Sequence, residues 1–391
     1  MFFASLLHFC VLPMKHRNFA AVLLICLLAA SLLLYFAFFV TESSENRPPD
    51  VFVGIDVAYD NLTAANKLID EISSYTNVFV IGSRGITHNI TKLDATCQYL
   101  YDRGLSFFVY REHRSPRTEW LEAAKEKWGE SLLGFYAYDE VGGWQLDNAQ
   151  YKAVYEADNT THAASQFVTN MNRYLVEFTH YYTDETSFPL VTSDYALYWF
   201  DYKAGYDTIF AEFGWNYSRQ LNVALCRGAA TIHNKDWGVM ITWTYNNPPH
   251  LESGAELYED MILAYNNGAK YILVFDTNKN YTQGILKEEH LEAIQQFWNY
   301  AKNNPRTPQA LSDKVAYVLP KDYAYGFRGP SDKIWGFWEA DAFSDELCVK
   351  LNSALEQYGT KLDVIYDDGL EDSNAYEYSK LIFWNGTVYV P

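Results

Sequence analysis

Eight short runs of apolar, β-branched and aromatic residues recur along the chain, each ending in polar residues. They are VFVGIDVAY from Val51, NVFVIGSR from Asn77, SFFVYREH from Ser106, GFYAYDE from Gly134, PLVTSDYALYW from Pro189, TIFAEFGWN from Thr208, WGVMITWTY from Trp237 and YILVFDTN from Tyr271. Runs this short and this apolar predict strands covered on both faces. Between them, segments such as EWLEAAKEKWGE and LNVALCRGAATIHNKD carry apolar residues at three- and four-residue spacing and predict amphipathic helices. Gly104 and Gly268, just before the third and eighth runs, sit where a helix C-cap belongs. The first four strands start about 27 residues apart, the length of a unit in which a helix returns the chain to a parallel neighbour.

Strand then helix, eight times over, predicts a (β/α)8 TIM barrel across residues 51–304, with the open eight-stranded sheet as the alternative that periodicity does not separate from it. Beyond the proline-marked stretch ending at Pro308 the pattern restarts with KVAYVLP, a helix around Asp341 to Tyr358, KLDVIYDD and KLIFWNGTVYV. This predicts a small C-terminal α/β domain over 312–391.

The N-terminus follows a different pattern. Residues 19–40 read FAAVLLICLLAASLLLYFAFFV, with no charge, against the roughly 20 apolar residues a helix needs to span a bilayer. Lys15 and Arg17 precede the run, and Glu42, Glu45 and Asp50 follow it. The expectation is an uncleaved transmembrane helix, with residues 1–18 cytoplasmic, 41–50 a short linker and the C-terminal body extracytoplasmic, in a single-pass protein of the cell membrane. A cleaved signal peptide is the alternative, although its apolar core is usually about 7 to 15 residues long. The sequons at Asn61, Asn89, Asn159, Asn216, Asn280 and Asn385 agree with export. Cys97, Cys226 and Cys348 follow the anchor, and an odd number cannot all pair within the chain.

Charge narrows the partners. The formal net charge is -19, and -21 once Lys15 and Arg17 are set aside. Such a body repels polyanions, so nucleic acid is excluded and a neutral or cationic substrate favoured. The high aromatic content, 17% with 32 Tyr and 11 Trp, suits sugars, whose C–H faces and hydroxyl rims match a flat ring with a polar edge. No HExxH, CxxC, GxSxG, P-loop or GxGxxG occurs, so no metal site or other cofactor is expected. The oligomeric state is left open.

In a (β/α)8 barrel the reacting groups stand at the C-terminal ends of the strands. That rule selects Asp56 after the first strand, Arg84 after the second, Arg111 after the third, Asp139 and Glu140 after the fourth, and Asp194 after the fifth. Glu212 and Trp215 follow the sixth strand, Trp243 and Tyr245 the seventh, and Asp276 the eighth. Cleaving a glycosidic bond takes two carboxyl groups, one to protonate the leaving oxygen and one to attack or to activate water. Glu212 as general acid/base, with Asp139 or Glu140 as the second carboxylate, meets that need. Strand alternation would aim only one of Asp139 and Glu140 into the barrel mouth, unless the strand end breaks it. Asp56, Arg84, Arg111, Asp194, Trp215, Trp243, Tyr245 and Asp276 would position a carbohydrate, and each charged one has a plain alternative as a salt-bridge partner or helix cap.

On these residues the chain resembles the TIM-barrel glycoside hydrolases over about 51–303, with GFYAYDE its best-marked motif. The segment from Lys314 is similar to the α/β domain that follows the barrel in family 42 β-galactosidases. The acids after strands four and six are similar in position to those of the α-galactosidase clan. The resemblance implies a two-carboxylate glycoside hydrolase acting on a surface or extracellular glycan. Strand seven, GVMITWTY, lacks the carboxylate that the family 42 clan carries there. That difference motivates the alternative of a non-catalytic glycan-binding or scaffold protein on a degenerate barrel.

Overall fold

A computed structural model describes residues 50–112, 118–179, 188–244, 250–307, 309–371 and 373–391. The eight predicted strands form β1 (Phe52–Val57), β2 (Val78–Ile81), β3 (Ser106–Arg111), β4 (Leu132–Ala137), β5 (Leu190–Asp194), β6 (Thr208–Phe213), β7 (Asp236–Ile241) and β8 (Tyr271–Asp276). Each pairs in parallel with the next, and β8 closes onto β1 with Phe52 opposite Tyr271 and Val57 opposite Asp276. The sheet is therefore a closed barrel, not the open alternative.

Closure sorts the strand residues into two sets, because successive side chains point to opposite faces. Val78, Val80, Phe108, Tyr136, Val191, Phe210, Met240, Tyr271 and Leu273 fill the interior. Tyr271 is the centre of this plug, stacked on Phe52 at 4.9 Å and edge-on to Phe108 and Phe210 at 5.4 and 5.6 Å. Fully burying rings of this size is worth roughly 1.5–3 kcal/mol each. The outward set packs under the helices in one continuous apolar layer.

Helix starts are fixed by local chemistry. The Ser253 and Glu256 side chains form a capping box, and Asn61, Asn89 and Asn159 each accept a hydrogen bond from the backbone N–H three residues on. These three asparagines head sequons, and all six sequon asparagines are exposed. Cys97, Cys226 and Cys348 are unpaired.

The C-terminal sheet has the order β10-β9-β11-β12, built from β9 (Val315–Leu319), β10 (Leu362–Tyr366), β11 (Lys380–Phe383) and β12 (Val388–Tyr389), with the helix Ala342–Tyr358 between β9 and β10. It is fused to the barrel helix Arg219–Ile232. Buried Arg227 bonds Asp363 of β10 at 2.6 Å and the carbonyls of Thr360 and Leu362. Next to it, a Cβ at Gly228 would lie 2.3 Å from the Val364 carbonyl oxygen, so only glycine allows this approach.

Among the described residues no helix is long and apolar enough to cross a membrane, and the expected anchor at 19–40 lies outside them.

Candidate active site

Left-handed backbone is distributed unevenly between the two ends of the barrel. At the N-terminal end, where helices turn back into strands, positive φ falls on Gly104, Gly129, Gly205, Asn234 and Gly268, residues that adopt it cheaply. At the C-terminal end it falls on Tyr138, Glu140, Leu197, Trp215 and Tyr281, with φ between 52° and 57°, as well as on Asn148 and His250. A side chain held there costs on the order of 1 kcal/mol or more, so this end keeps side chains where relaxed backbone would have glycine.

The C-terminal end also carries a cavity of about 410 Å³. Its floor is the top of the plug, Tyr136 of β4 and Met240 of β7, with the inward Asp56 of β1, Ser193 of β5 and Glu212 of β6. Asp139 and Glu140 both enter it. Strict alternation would have sent them to opposite faces, but β4 ends at Ala137, and the positive φ of Tyr138 and Glu140 re-aims the chain. Trp144, Trp215, Tyr217, Trp243 and Tyr281 supply aromatic walls.

Ser193 ties the acids together. Its Oγ lies 3.0 Å from Asp139 Oδ1 and 2.8 Å from Glu212 Oε1, so those two carboxyl oxygens are at most 5.8 Å apart, the sum of the two bonds. The Tyr136 hydroxyl donates to Asp139 and lies 2.8 Å from Ser193 Oγ. Trp144 Nε1 donates to Glu140 Oε2 at 2.9 Å. Glu140 also sits within hydrogen-bonding reach of the Glu212 carboxyl, whose Oε2 is buried with no N–H or O–H donor among the described residues. A proton on either acid turns that contact into a hydrogen bond.

Burial decides the protonation of this cluster, and mutual repulsion adds to it. Two like charges about 6 Å apart repel by about 3 kcal/mol at an effective dielectric constant of about 20. Burial, then the charges of Glu140 and Asp139, push Glu212 well above the carboxylate range. Burial and the Asp139 charge push Glu140 up to about 8. Burial raises Asp139 as well, but the Tyr136 and Ser193 hydroxyls and the Arg84 charge oppose it. Asp139 is thus the member best equipped to hold a negative charge, and Glu212 the one best held as the acid.

Of the other expected site residues, Trp215 and Trp243 line the cavity, the latter fixed by a 3.0 Å bond from Nε1 to the Thr277 carbonyl. Tyr245 lies outside the described residues. Four others do not line the cavity. Asp194 is on the outward set and accepts four backbone N–H bonds, from Gly142, Gly143, Tyr195 and Ala196, so it holds the loop that carries Glu140. Asp276 likewise faces outward and accepts from Ile285 and Leu286. Arg111, also outward, is buried with its guanidinium over the Phe135 ring. Arg84 is held by both oxygens of Glu112, at 2.7 and 2.8 Å, and does not line the cavity. In each case the side chain serves a neighbour in the frame.

Residues that strand-end reasoning missed include Tyr136 and Ser193, which share the inward parity of Glu212 and could have been found from it. The C-terminal domain also reaches the site. Partly buried Arg328 bonds Asp147 at 2.8 Å and Asp332 at 2.7 Å and lies over the rings of Tyr195 and Tyr217; Asp147, Tyr195 and Tyr217 all line the cavity. Among the described residues, no group of three or more His, Cys, Asp or Glu side chains is placed to hold a metal ion.

No family model matches the chain, and no curated protein matches it. Among solved structures it is similar to a β-1,4-D-mannanase from Cryptopygus antarcticus, at 11% identity and a TM-score of 0.43, covering 63% of this chain and 89% of that one. It is also similar to an endo-1,4-β-mannanase from Eisenia fetida, at 10% identity and a TM-score of 0.41, covering 66% of this chain and 92% of that one. A third is α-L-fucosidase isoenzyme 2 from Paenibacillus thiaminolyticus, at 10% identity and a TM-score of 0.49, covering 85% of this chain and 59% of that one.

Proposed function

We propose that this protein is a glycoside hydrolase that cleaves by double displacement, with Asp139 as nucleophile and Glu212 as general acid/base. The observation that carries the reading is the Asp139–Glu212 pair, bridged by Ser193 within 5.8 Å at the floor of an aromatic-walled cavity. Carboxyl groups about 5–5.5 Å apart go with retention of anomeric configuration, and pairs separated widely enough to admit a water go with inversion. Asp139 attacks the anomeric carbon while Glu212 gives its proton to the departing glycosidic oxygen. Glu212, now a carboxylate, takes a proton from water as that water displaces Asp139. The Trp and Tyr faces would stack on the sugar ring, and Trp144 would keep Glu140 turned towards the reacting pair.

The charge-free run over 19–40, basic before and acidic after, supports a single-pass membrane protein with this cavity outside the cytoplasm, facing a surface or extracellular glycan. Protease digestion of intact cells should then remove the barrel while leaving cytoplasmic markers whole.

A glycan-release screen with the full-length chain tests the chemistry. Wild type should release sugar with retained configuration, read by NMR of the first anomer formed. Glu212→Gln and Asp139→Ala should each lose at least about 1,000-fold in kcat, with azide restoring turnover to Asp139→Ala as a glycosyl azide. Release by Glu212→Gln at the wild-type rate would sink the assignment. The alternative of a glycan-binding protein on a degenerate barrel, for which the bare β7 speaks, predicts binding with no release at all.

A further inference from the structure

The cavity holds more acid than a two-carboxylate reaction uses. Asp56 and Glu140 line it beside the reacting pair, and no Lys, Arg or His among the described residues lines it. The nearby cations are already matched, Arg84 by Glu112 and Arg328 by Asp147 and Asp332. Asp56 is the least provided for. It is 3% exposed, its Oδ1 is buried with no donor, and no hydrogen bond or ion pair from the described residues reaches its carboxyl. That oxygen packs against Gly82, where a Cβ would lie 2.2 Å from it, and the Asp56 side chain itself lines the cavity. Burial, then the charges of Asp139 and Asp276, raise Asp56 well above the ordinary carboxylate range, and a cation beside it would act in the opposite direction.

We propose that Asp56 is the recognition point for a protonated amine, so that the glycan taken into this cavity carries free amino groups, as in a de-N-acetylated hexosamine chain. This deepens the glycoside hydrolase reading and rests on it. An ammonium group brings a positive charge to a cavity whose lining has none among the described residues, and three donors that Asp56 can use. A neutral hydroxyl would leave the acids without a countercharge, and an N-acetyl group would remove the charge and add bulk. The net charge of -19 acts in the same direction, drawing a polycation in and keeping polyanions out.

Binding separates this inference from the chemistry. The full-length Glu212→Gln protein, which cannot turn over, is titrated calorimetrically with glucosamine and galactosamine oligosaccharides, each as the free amine and as its N-acetylated counterpart. The free-amine form of one sugar series should bind at least about tenfold more tightly than its N-acetylated form, and adding Asp56→Asn should collapse that ratio towards one. The first comparison needs no change at Asp56, so a folding defect in the double variant does not decide the outcome. Equal or tighter binding of the N-acetylated forms, a preference that survives Asp56→Asn, or no binding across the panel would each overturn the proposal. Wild-type hydrolysis of N-acetylated chains alone would keep the hydrolase and remove the amine, whereas amine-selective binding without hydrolysis by wild type would do the reverse.

Discussion

Asp139 and Glu212 share one hydroxyl, with Ser193 Oγ 3.0 Å from the first and 2.8 Å from the second. A serine has a single hydrogen to donate, so it serves one carboxylate at a time. Ionising Asp139 draws that hydrogen to it and leaves Glu212 to keep its own proton, the state that the proposed double displacement requires. The next residue, Asp194, points the other way and holds the Glu140 loop by its backbone. One strand end therefore sets the proton distribution on one face and the loop geometry on the other.

Ser193→Ala should lower kcat roughly tenfold to hundredfold, about 1.4–2.7 kcal/mol of transition-state stabilisation, with little change in KM. The Ser193 hydrogen bonds lower the pKa of both Asp139 and Glu212, so their loss should move both limbs of the pH–rate profile to higher pH. A fall in kcat with both limbs unmoved would make Ser193 a packing residue only.

Glu140→Gln removes a negative charge that raises Glu212. Glu212 should then lose its proton at lower pH, and the alkaline limb of kcat should shift towards acid. In wild type that limb should lie well above the ordinary carboxylate range, since Glu140 itself is pushed up to about 8. A pH–rate comparison of the two proteins checks the sign.

Asp201 predicts a pH dependence of stability. It is fully buried, neither oxygen has an N–H or O–H donor among the described residues, and the Asp194 carboxyl is close enough to accept from it when it is protonated. Burial and the Asp194 charge hold its folded pKa well above the ordinary value of 3.8, and Asp194 is itself pushed up to about 7. A raised folded pKa means stability that is whole below the unfolded value and lost as pH climbs through the folded one. Asp201→Asn keeps an N–H donor for Asp194 and cannot ionise. Its Tm should match wild type near pH 4 and exceed it increasingly at neutral and alkaline pH, by thermal denaturation.

Arg227→Ala should cost roughly 3–5 kcal/mol, because it leaves Asp363 buried with its main countercharge gone. Lys314, 3.9 Å from Asp363, is too distant to replace the lost 2.6 Å contact. Urea denaturation should show the loss, and the C-terminal sheet should gain amide exchange ahead of the barrel strands, since Arg227 joins the helix Arg219–Ile232 to β10.

Much of this molecule was legible in one dimension. Short apolar runs placed β1 to β8 and the strands of the second sheet, and period-3.6 patterns the helices between them, because burial on both faces demands apolar runs wherever the chain lies. Gly104 and Gly268 announced their helix ends, since both adopt positive φ. Glu212 and Asp56 were within reach by the strand-end rule, and parity along each strand would have turned Arg111, Asp194 and Asp276 outward. Closure itself was not legible, because it depends on β8 meeting β1 and no local pattern records a partner more than 200 residues away. Nor was the joint entry of Asp139 and Glu140, which hangs on left-handed backbone at Tyr138 and Glu140 that those residue types do not advertise. The reach of Arg328 to Asp147 is of the same kind. The sequence by itself determined which segments would be strands and helices and which carboxyl groups would stand at their ends. The tertiary structure alone decided which of those acids would face one another, because the distance and burial that set their protonation exist only once distant strands have closed into a ring.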